Sequence, residues 1–451
     1  MSTRACRWTD SLLGLLFAAG CGGTPVEPID FGLGDTGSST LGGGSPAGTT
    51  GLSSASSASD TSGEAQGTDS DSAAQDDSSS DGGSSGDDGT TGDHGADGVV
   101  PNRISMGHGR ACAIVEGNAW CWGSNEYGQA GDGTLDPALS PVAVQGLPEP
   151  VLAIHAGSNH TCALSDAGAV HCWGGNWNGQ LGRGNAADSV SPGPVVGLDS
   201  GVLDLSVGGS HACARLDEGS VQCWGFNSDG QVGSGGFGNT AVPALVALDE
   251  PAIAVGTGVN HSCAVVHSGG LWCWGENEYG QLGDGGMLYD NYPIPLAADG
   301  DPSVRGSDLS SGGIVAMTGG LLHSCGIADT GGLKCWGDGF SRSGAIVVPG
   351  LSADIEHLAA GSFHTCAALT DGTVWCGGRN VEGQLGNGTT ASTDDMVQVV
   401  GLTDVVDVAA GQYSSCAETS DAIYCWGDNG EGQLGDGSTS SSATPVQVMS
   451  W

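Results

Sequence analysis

The 451-residue sequence predicts an all-β fold: a seven-bladed β-propeller of about 50-residue repeats, preceded by a disordered tether. Three observations carry this prediction. Glycine, at 84 residues, dominates while aromatics are few, a mixture that suits turn-rich sheets better than helices. One frame recurs, in HTCALSDAGAVHCWGGNWNGQLGRG (160–184), HACARLDEGSVQCWGFNSDGQVGSG (211–235), HSCAVVHSGGLWCWGENEYGQLGDG (261–285) and HTCAALTDGTVWCGGRNVEGQLGNG (364–388). Paired cysteines mark that frame seven times, once per repeat, which is the period range of propeller blades.

The first element, residues 1–20, reads as an export signal. Arg4 and Arg7 precede the apolar run SLLGLLFAAG (11–20), whose ten residues are too few for a helix to cross a bilayer core of about 30 Å. AAGC (18–21) resembles the lipobox of bacterial lipoproteins, which makes Cys21 the expected site of lipidation. Ala18 replaces the Leu usual in that motif, and the rival is an ordinary cleaved signal. Gly22 after the cysteine implies outer-membrane sorting in that family. The expected location is therefore the outer membrane or cell surface of a bacterium, with the membrane touched through the lipid alone.

Residues 21–98 form the tether. After Cys21 they hold 14 acidic residues and no Lys or Arg, with too little apolar surface to offset the entropy of ordering. Such a linker reaches roughly 50 Å as a flexible coil.

The propeller is assigned to residues 99–451. Each unit runs apolar strand, Gly-x-x-His-x-Cys, hairpin, Cys-Trp-Gly, polar glycine-rich loop, and in most units a Pro-Val strand. Opposing Cys162 and Cys172 sets Leu164 against Val170 and leaves Asp166-Ala167-Gly168 as a three-residue loop. Its third position favours glycine because φ is positive there, and Gly219, Gly269, Gly331 and Gly372 recur at that place. In the two shorter hairpins Glu116-Gly117 and Ser420-Asp421 become two-residue turns. Opposed residues on antiparallel strands lie within disulfide reach. The expected bridges are Cys112–Cys121, Cys162–Cys172, Cys213–Cys223, Cys263–Cys273, Cys325–Cys335, Cys366–Cys376 and Cys416–Cys425. With Cys6 leaving in the signal and Cys21 lipidated, no cysteine remains unpaired. Zinc would favour short Cys-x₂-Cys knuckles instead.

Seven such units close radially. The first begins late, at NRISMG (102–107), with no Pro-Val strand before it, while the chain ends in TPVQVMSW (444–451). The C-terminal strand is therefore expected to complete the first blade. Within the loops, Gly179 and Gly182 are expected at positive φ or at close backbone approaches. Asn176 and Gln180 would satisfy loop backbone groups, and Trp173 would fill the gap between blades.

GSNHTCAL (157–164) and CWGENEYGQLG (273–283) carry a resemblance to the repeat of the regulator of chromosome condensation family, over most of residues 102–451. The resemblance implies a seven-bladed propeller. Its paired cysteines and export signal are similar to an exported, bacterial branch. Exchange-factor activity on the GTPase Ran, implied by the family's nuclear member, does not suit an exported chain.

Composition argues against nucleic acid as a partner, since 10 basic residues face 51 acidic ones. His160, His211, His261, His323 and His364 share one repeat position, and their recurrence by blade favours structural hydrogen bonding over a metal site. No phosphate loop, dinucleotide fingerprint or Ser-His-Asp arrangement stands out, and no catalytic, cofactor or metal residue is assigned. Departures from the repeat are the better guide to binding. The fourth and fifth cysteine pairs are separated by MLYDNYPIPLAADGDPSVRGSDLSSGG (287–313), and the fifth unit loses its Gly-Gln-Leu-Gly loop in CWGDGFSRSGAIVVPGL (335–351). Tyr289, Tyr292, Arg305, Phe340 and Arg342 are the candidate binding residues, of types enriched at interaction hot spots. The expected function is a monomeric, non-catalytic platform for a protein or glycan ligand. The alternative is an extracellular polysaccharide hydrolase or lyase using carboxylates at the channel mouth.

Overall fold

A computed structural model describes residues 103–148, 150–296, 313–338, 346–351 and 353–451. The chain divides into Met1–Gly86 and Asp87–Trp451, and the described residues all fall in the second unit. They form seven four-stranded antiparallel sheets, each made of four consecutive strands in sequential order. The blades span residues 104–143, 151–194, 202–245, 252–295, 314–347, 355–398 and 405–447. The first strand of each lies innermost, so that Ile104–Met106 touches the inner strands of both the second and the seventh blade.

The cysteine hairpins pair as the loop arithmetic requires. Cys162 opposes Cys172 and Leu164 opposes Val170, and all seven disulfides are formed. Gly168 sits at φ 77° in its loop, and Glu116 and Gly117 both adopt positive φ in the two-residue turn of the first blade. Every bridged cysteine is fully buried. Each bridge belongs to the apolar layer between one blade and the next. Cys162 and Cys172, for example, share a core with Leu205, Ala212 and Trp224 of the third blade.

The expected strand exchange does not occur. Ser442–Gln447 pairs with Ile423–Gly427 of the seventh blade, setting Val446 opposite Cys425. The first blade is complete with its own outer strand, Ala138–Ala143. The reason lies in the order of the unit: each Pro-Val strand follows its own hairpin and pairs back onto it, so nothing is missing ahead of residue 104. The ring closes through side chains and loops instead. Trp451 packs on Trp120 and Trp122, with ring centroids 6.0 and 5.9 Å apart, and Gly437 N donates to Leu139 O at 3.0 Å.

The signal, Cys21, the tether, Arg305, Phe340 and Arg342 lie outside the described residues.

Candidate binding surface

The residues that recur from blade to blade are consumed in joining blades. Trp122, Trp173, Trp224, Trp274, Trp336 and Trp426 are fully buried, and each Nε1–H donates to a glutamine backbone carbonyl of the preceding blade. At four joints a second donor reaches the same carbonyl. Thr161 Oγ1 donates to Gln129 O at 2.8 Å, Ser262 Oγ to Gln231 O at 2.9 Å, Ser324 to Gln281 at 2.9 Å and Ser415 to Gln384 at 3.0 Å. Because those hydroxyl protons are spent on carbonyls, the serine oxygens are left to accept. They take Nε2–H of His211, His261 and His364 at 2.8, 2.7 and 2.8 Å. His323 Nε2 also contacts Thr365 Oγ1 at 2.8 Å. His211, His261 and His364 are therefore neutral Nε2–H tautomers that tie one blade to the next. Burial pushes the pKa of the histidines at this repeat position down to about 4 for His211 and His323, and to about 3 for His160, His261 and His364. The first blade has Arg110 at this position. Its guanidinium, brought down to about 9 by burial, donates to the Ser158 and His160 carbonyls.

The loops behave as the sequence implied. Gly179 and Gly182 lie at φ 79° and 66°. Asn176 Nδ2 donates to the carbonyls of Asn185 and Ala187 at 3.1 and 2.9 Å, and its Oδ1 accepts from Leu181 N at 2.9 Å. Gln180 Oε1 accepts from Asn178 N at 2.9 Å.

One joint departs from this plan. In the sixth blade Gly377 stands where the others have Trp, and the preceding unit lacks the Gly-Gln-Leu-Gly loop that would cap an indole. Met396, at a position that is Pro in the first blade and the seventh, fills the space: its Sδ lies 3.0 Å from where a Gly377 Cβ would be. It is buried against Cys325 and Cys335.

With the shared residues engaged, what differs between blades lies at the channel mouth. There the Gly-x-x-His turns converge on a cavity of about 160 Å³. Their glycines are packed edge to edge, and a Cβ on Gly258 would sit 2.6 Å from the Gly320 carbonyl. Backbone bonds run around the rim, including Ser158 N to Gly209 O at 2.9 Å, Gly209 N to Val259 O at 3.0 Å and Val259 N to Gly320 O at 3.0 Å. The two variable turn residues are Ser158-Asn159 and Gly209-Ser210 in blades two and three, but Leu321-Leu322, Ser362-Phe363 and Gln412-Tyr413 in blades five to seven. Phe363 and Tyr413 stack at 6.0 Å, and the Arg379 guanidinium lies 5.6 and 5.0 Å from their ring centres. The turns around the mouth are thus polar on one side of the ring and aromatic, with a cation, on the other, where Phe363 and Arg379 line a separate cavity of about 260 Å³ beside the central one.

Tyr289 and Tyr292, the two described members of the expected binding set, lie on the outer edge of the fourth blade, 37 % and 54 % exposed. They are not at the mouth. Sequence reasoning missed the Phe363–Arg379–Tyr413 group, although the change of turn residues from blade to blade was its visible signal.

Deeper in the channel a cavity of about 350 Å³ is lined by Asp204, Met317, His357 and Asp407. Burial raises Asp204 to about 6 and Glu418 to about 7. Asp407 accepts from Arg103 N and Ile104 N at 3.0 and 3.3 Å and contacts His357 Nδ1 at 3.1 Å, while Glu418 pairs with Arg103 at 3.0 Å. Asp204 accepts from Val255 N at 2.8 Å. These carboxylates cap N–H groups on the exposed edges of neighbouring inner strands, or anchor their ends.

Residues 151–450 match the RCC1-like domain, and residues 116–164 match the regulator of chromosome condensation (RCC1) repeat. The ultraviolet-B receptor UVR8 of Arabidopsis thaliana is 35 % identical over 147 residues, 32 % of this chain and 33 % of that protein. The X-linked retinitis pigmentosa GTPase regulator of Mus musculus is 35 % identical over 136 residues, 29 % of this chain and 14 % of that protein. The match thus spans a third or less of these curated relatives. Human WBSCR16 shares the fold at 24 % identity and TM-score 0.63, covering 70 % of this chain and 87 % of that one. Yeast RCC1 (Prp20), in its complex with Kap60, does so at 19 % identity and TM-score 0.64, covering 73 % and 83 %.

Proposed function

The chain belongs to the RCC1-like family of propellers, and from that premise we propose that it is an exported lipoprotein, anchored through Cys21, whose propeller binds a protein at the cell envelope without catalysis. The observation that carries this reading is the division of labour among side chains. The recurring His, Ser and Trp are spent between blades and the recurring Asn and Gln side chains within their own loops, so the residues that differ are the ones presented outward. On one side of the mouth those are Leu, Phe, Tyr and Arg, types that dominate interaction energies where water is excluded. The yeast relative is described in complex with Kap60 and in binding to Gsp1p and histones, which supports a protein over a glycan as the ligand class.

A polysaccharide hydrolase or lyase draws support from Glu418 and Asp407, which lie close together with Glu418 raised to about 7. It is the weaker reading because Arg103, His357 and two backbone N–H groups already engage those carboxylates. The test is chemical cross-linking on intact cells, followed by affinity capture and mass spectrometry. One protein recovered with the parent and lost with a Phe363→Ser/Arg379→Ser/Tyr413→Ser variant supports the platform. Recovery of no specific protein, together with release of sugars from a polysaccharide panel, would replace it with the hydrolase.

A further inference from the structure

A second exposed surface lies at the seam of blades three and four, running from the outer strand in to Glu276, whose carboxylate accepts from the turn residue Asn260 at 3.1 Å. Tyr292 reaches across that seam, its hydroxyl lying against Gly235, and Asn291 packs on Gly230 with its Cα 2.7 Å from where a Cβ would stand. Phe237, two residues beyond Gly235, is 53 % exposed and Leu288 is 80 % exposed. Tyr289 joins them, its hydroxyl bonded to the Glu278 carboxylate. Apolar side chains from two adjoining blades are thus exposed along one seam of the ring, where no core requires them.

The charges around this patch share one sign. Asp229, on the same turn as Gly230, is held above its ordinary value by burial and by the charge of Glu278. Glu276 is raised by burial and by the charges of Asp229 and Glu278. Protonation would relieve that repulsion, and so would an incoming cation. The wider field agrees, since residues 99–451 carry 36 acidic and eight basic residues. A second copy of this acidic chain, or an acidic polymer, would be repelled from such a surface.

We infer that the blade three–four patch is the docking site for a basic amphipathic polypeptide segment, whose apolar side chains cover Leu288 and Tyr292 while its lysines or arginines meet Asp229, Glu276 and Glu278. This rests on the reading of the propeller as a protein-binding platform and names the chemistry of a partner. Apolar contact supplies affinity after water is excluded, and the carboxylates steer encounter and select for positive charge.

The test uses the full chain and three synthetic twelve-residue probes of alternating sequence: lysine–leucine, lysine–serine and glutamate–leucine. Binding is read by biolayer interferometry at two salt concentrations. The lysine–leucine peptide is expected to bind at least about tenfold more tightly than either other probe, and less tightly at high salt. Asp229→Asn/Glu276→Gln/Glu278→Gln and, separately, Leu288→Ser/Tyr292→Ser should each weaken it about tenfold or more. Asp394→Asn/Asp395→Asn/Asp421→Asn, made elsewhere on the ring, should leave it unchanged. Equal weakening by that remote variant, or equal binding of the glutamate–leucine peptide, overturns the inference. Unaltered unfolding midpoints of the variants exclude misfolding as the cause. A partner captured on cells through the mouth but indifferent to the patch variants would sink this inference while leaving the platform standing.

Discussion

A single hydroxyl proton decides the chemistry of the histidine ring. Ser262 gives its proton to Gln231, so His211 must supply its own, and the imidazole is fixed as a neutral donor in a joint that excludes water. Recurrence by blade already pointed to a structural role for the histidines. What no pattern could supply was the partner, because Ser262 lies 51 positions from His211. A pH dependence follows. Buried His155, His160, His211, His261, His323 and His364 all have depressed pKa values, so the unfolded chain binds more protons below its histidine pKa of about 6.5. Their stabilisation is complete above that pH and is lost as pH falls through about 6.5 toward their folded values of about 4 to 3. Asp204, Asp229, Glu276, His357 and Glu418, held above their ordinary values, act in the opposite sense and reduce the fall without reversing it, because the six histidines outnumber them. Urea unfolding followed by tryptophan fluorescence should show a lower midpoint at pH 5 than at pH 7.

Between residue and blade stands the exchange at the fifth-to-sixth joint. In sequence the missing loop was read as a departure that marks a binding face, and nothing tied it to Gly377 or Met396. Packing links two of them: where the sequence has lost the Gly-Gln-Leu-Gly motif that caps the other indoles, a flexible thioether, which needs no hydrogen-bond acceptor, fills the gap beside Gly377. Met396→Ala should cost about 2 kcal/mol or more, measured by denaturant unfolding. The hairpins were the most readable elements, since loop length, glycine position and cysteine spacing all encode the same register. Replacing Cys213 and Cys223 together by alanine opens a ten-residue span and should lower stability by about 2–3 kcal/mol in the same assay. The outer strand was misplaced for a related reason. A Pro-Val segment reads the same whether it pairs backward onto its own hairpin or forward onto the next unit, and only the pairing of Val446 with Cys425 decides.

At the scale of the whole molecule, the ring closes by packing rather than by lending a strand. The blade seven loop supplies Gln433 O to Trp122, and Asp407 caps the first inner strand. Repetition made the ring readable in sequence; the binding surfaces were only half readable, because they consist of departures that converge from blades distant in the chain. Leu321, Phe363 and Tyr413 share a rim yet are spread over 93 positions. Anchoring is a separate property with a separate test. Cys21→Ser should abolish incorporation of labelled palmitate and move the protein from the membrane fraction to the soluble one.

Protein binding at the mouth of the propeller is tested by placing a photo-crosslinking amino acid at position 363 in living cells. The same residue placed at Asp421, an exposed turn on the seventh blade, serves as the comparison. One discrete adduct is expected from position 363, containing the same protein in repeated captures, and none from position 421. Adducts of equal yield from both positions, or none from position 363 while the chain is folded and exported, would contradict binding at the mouth.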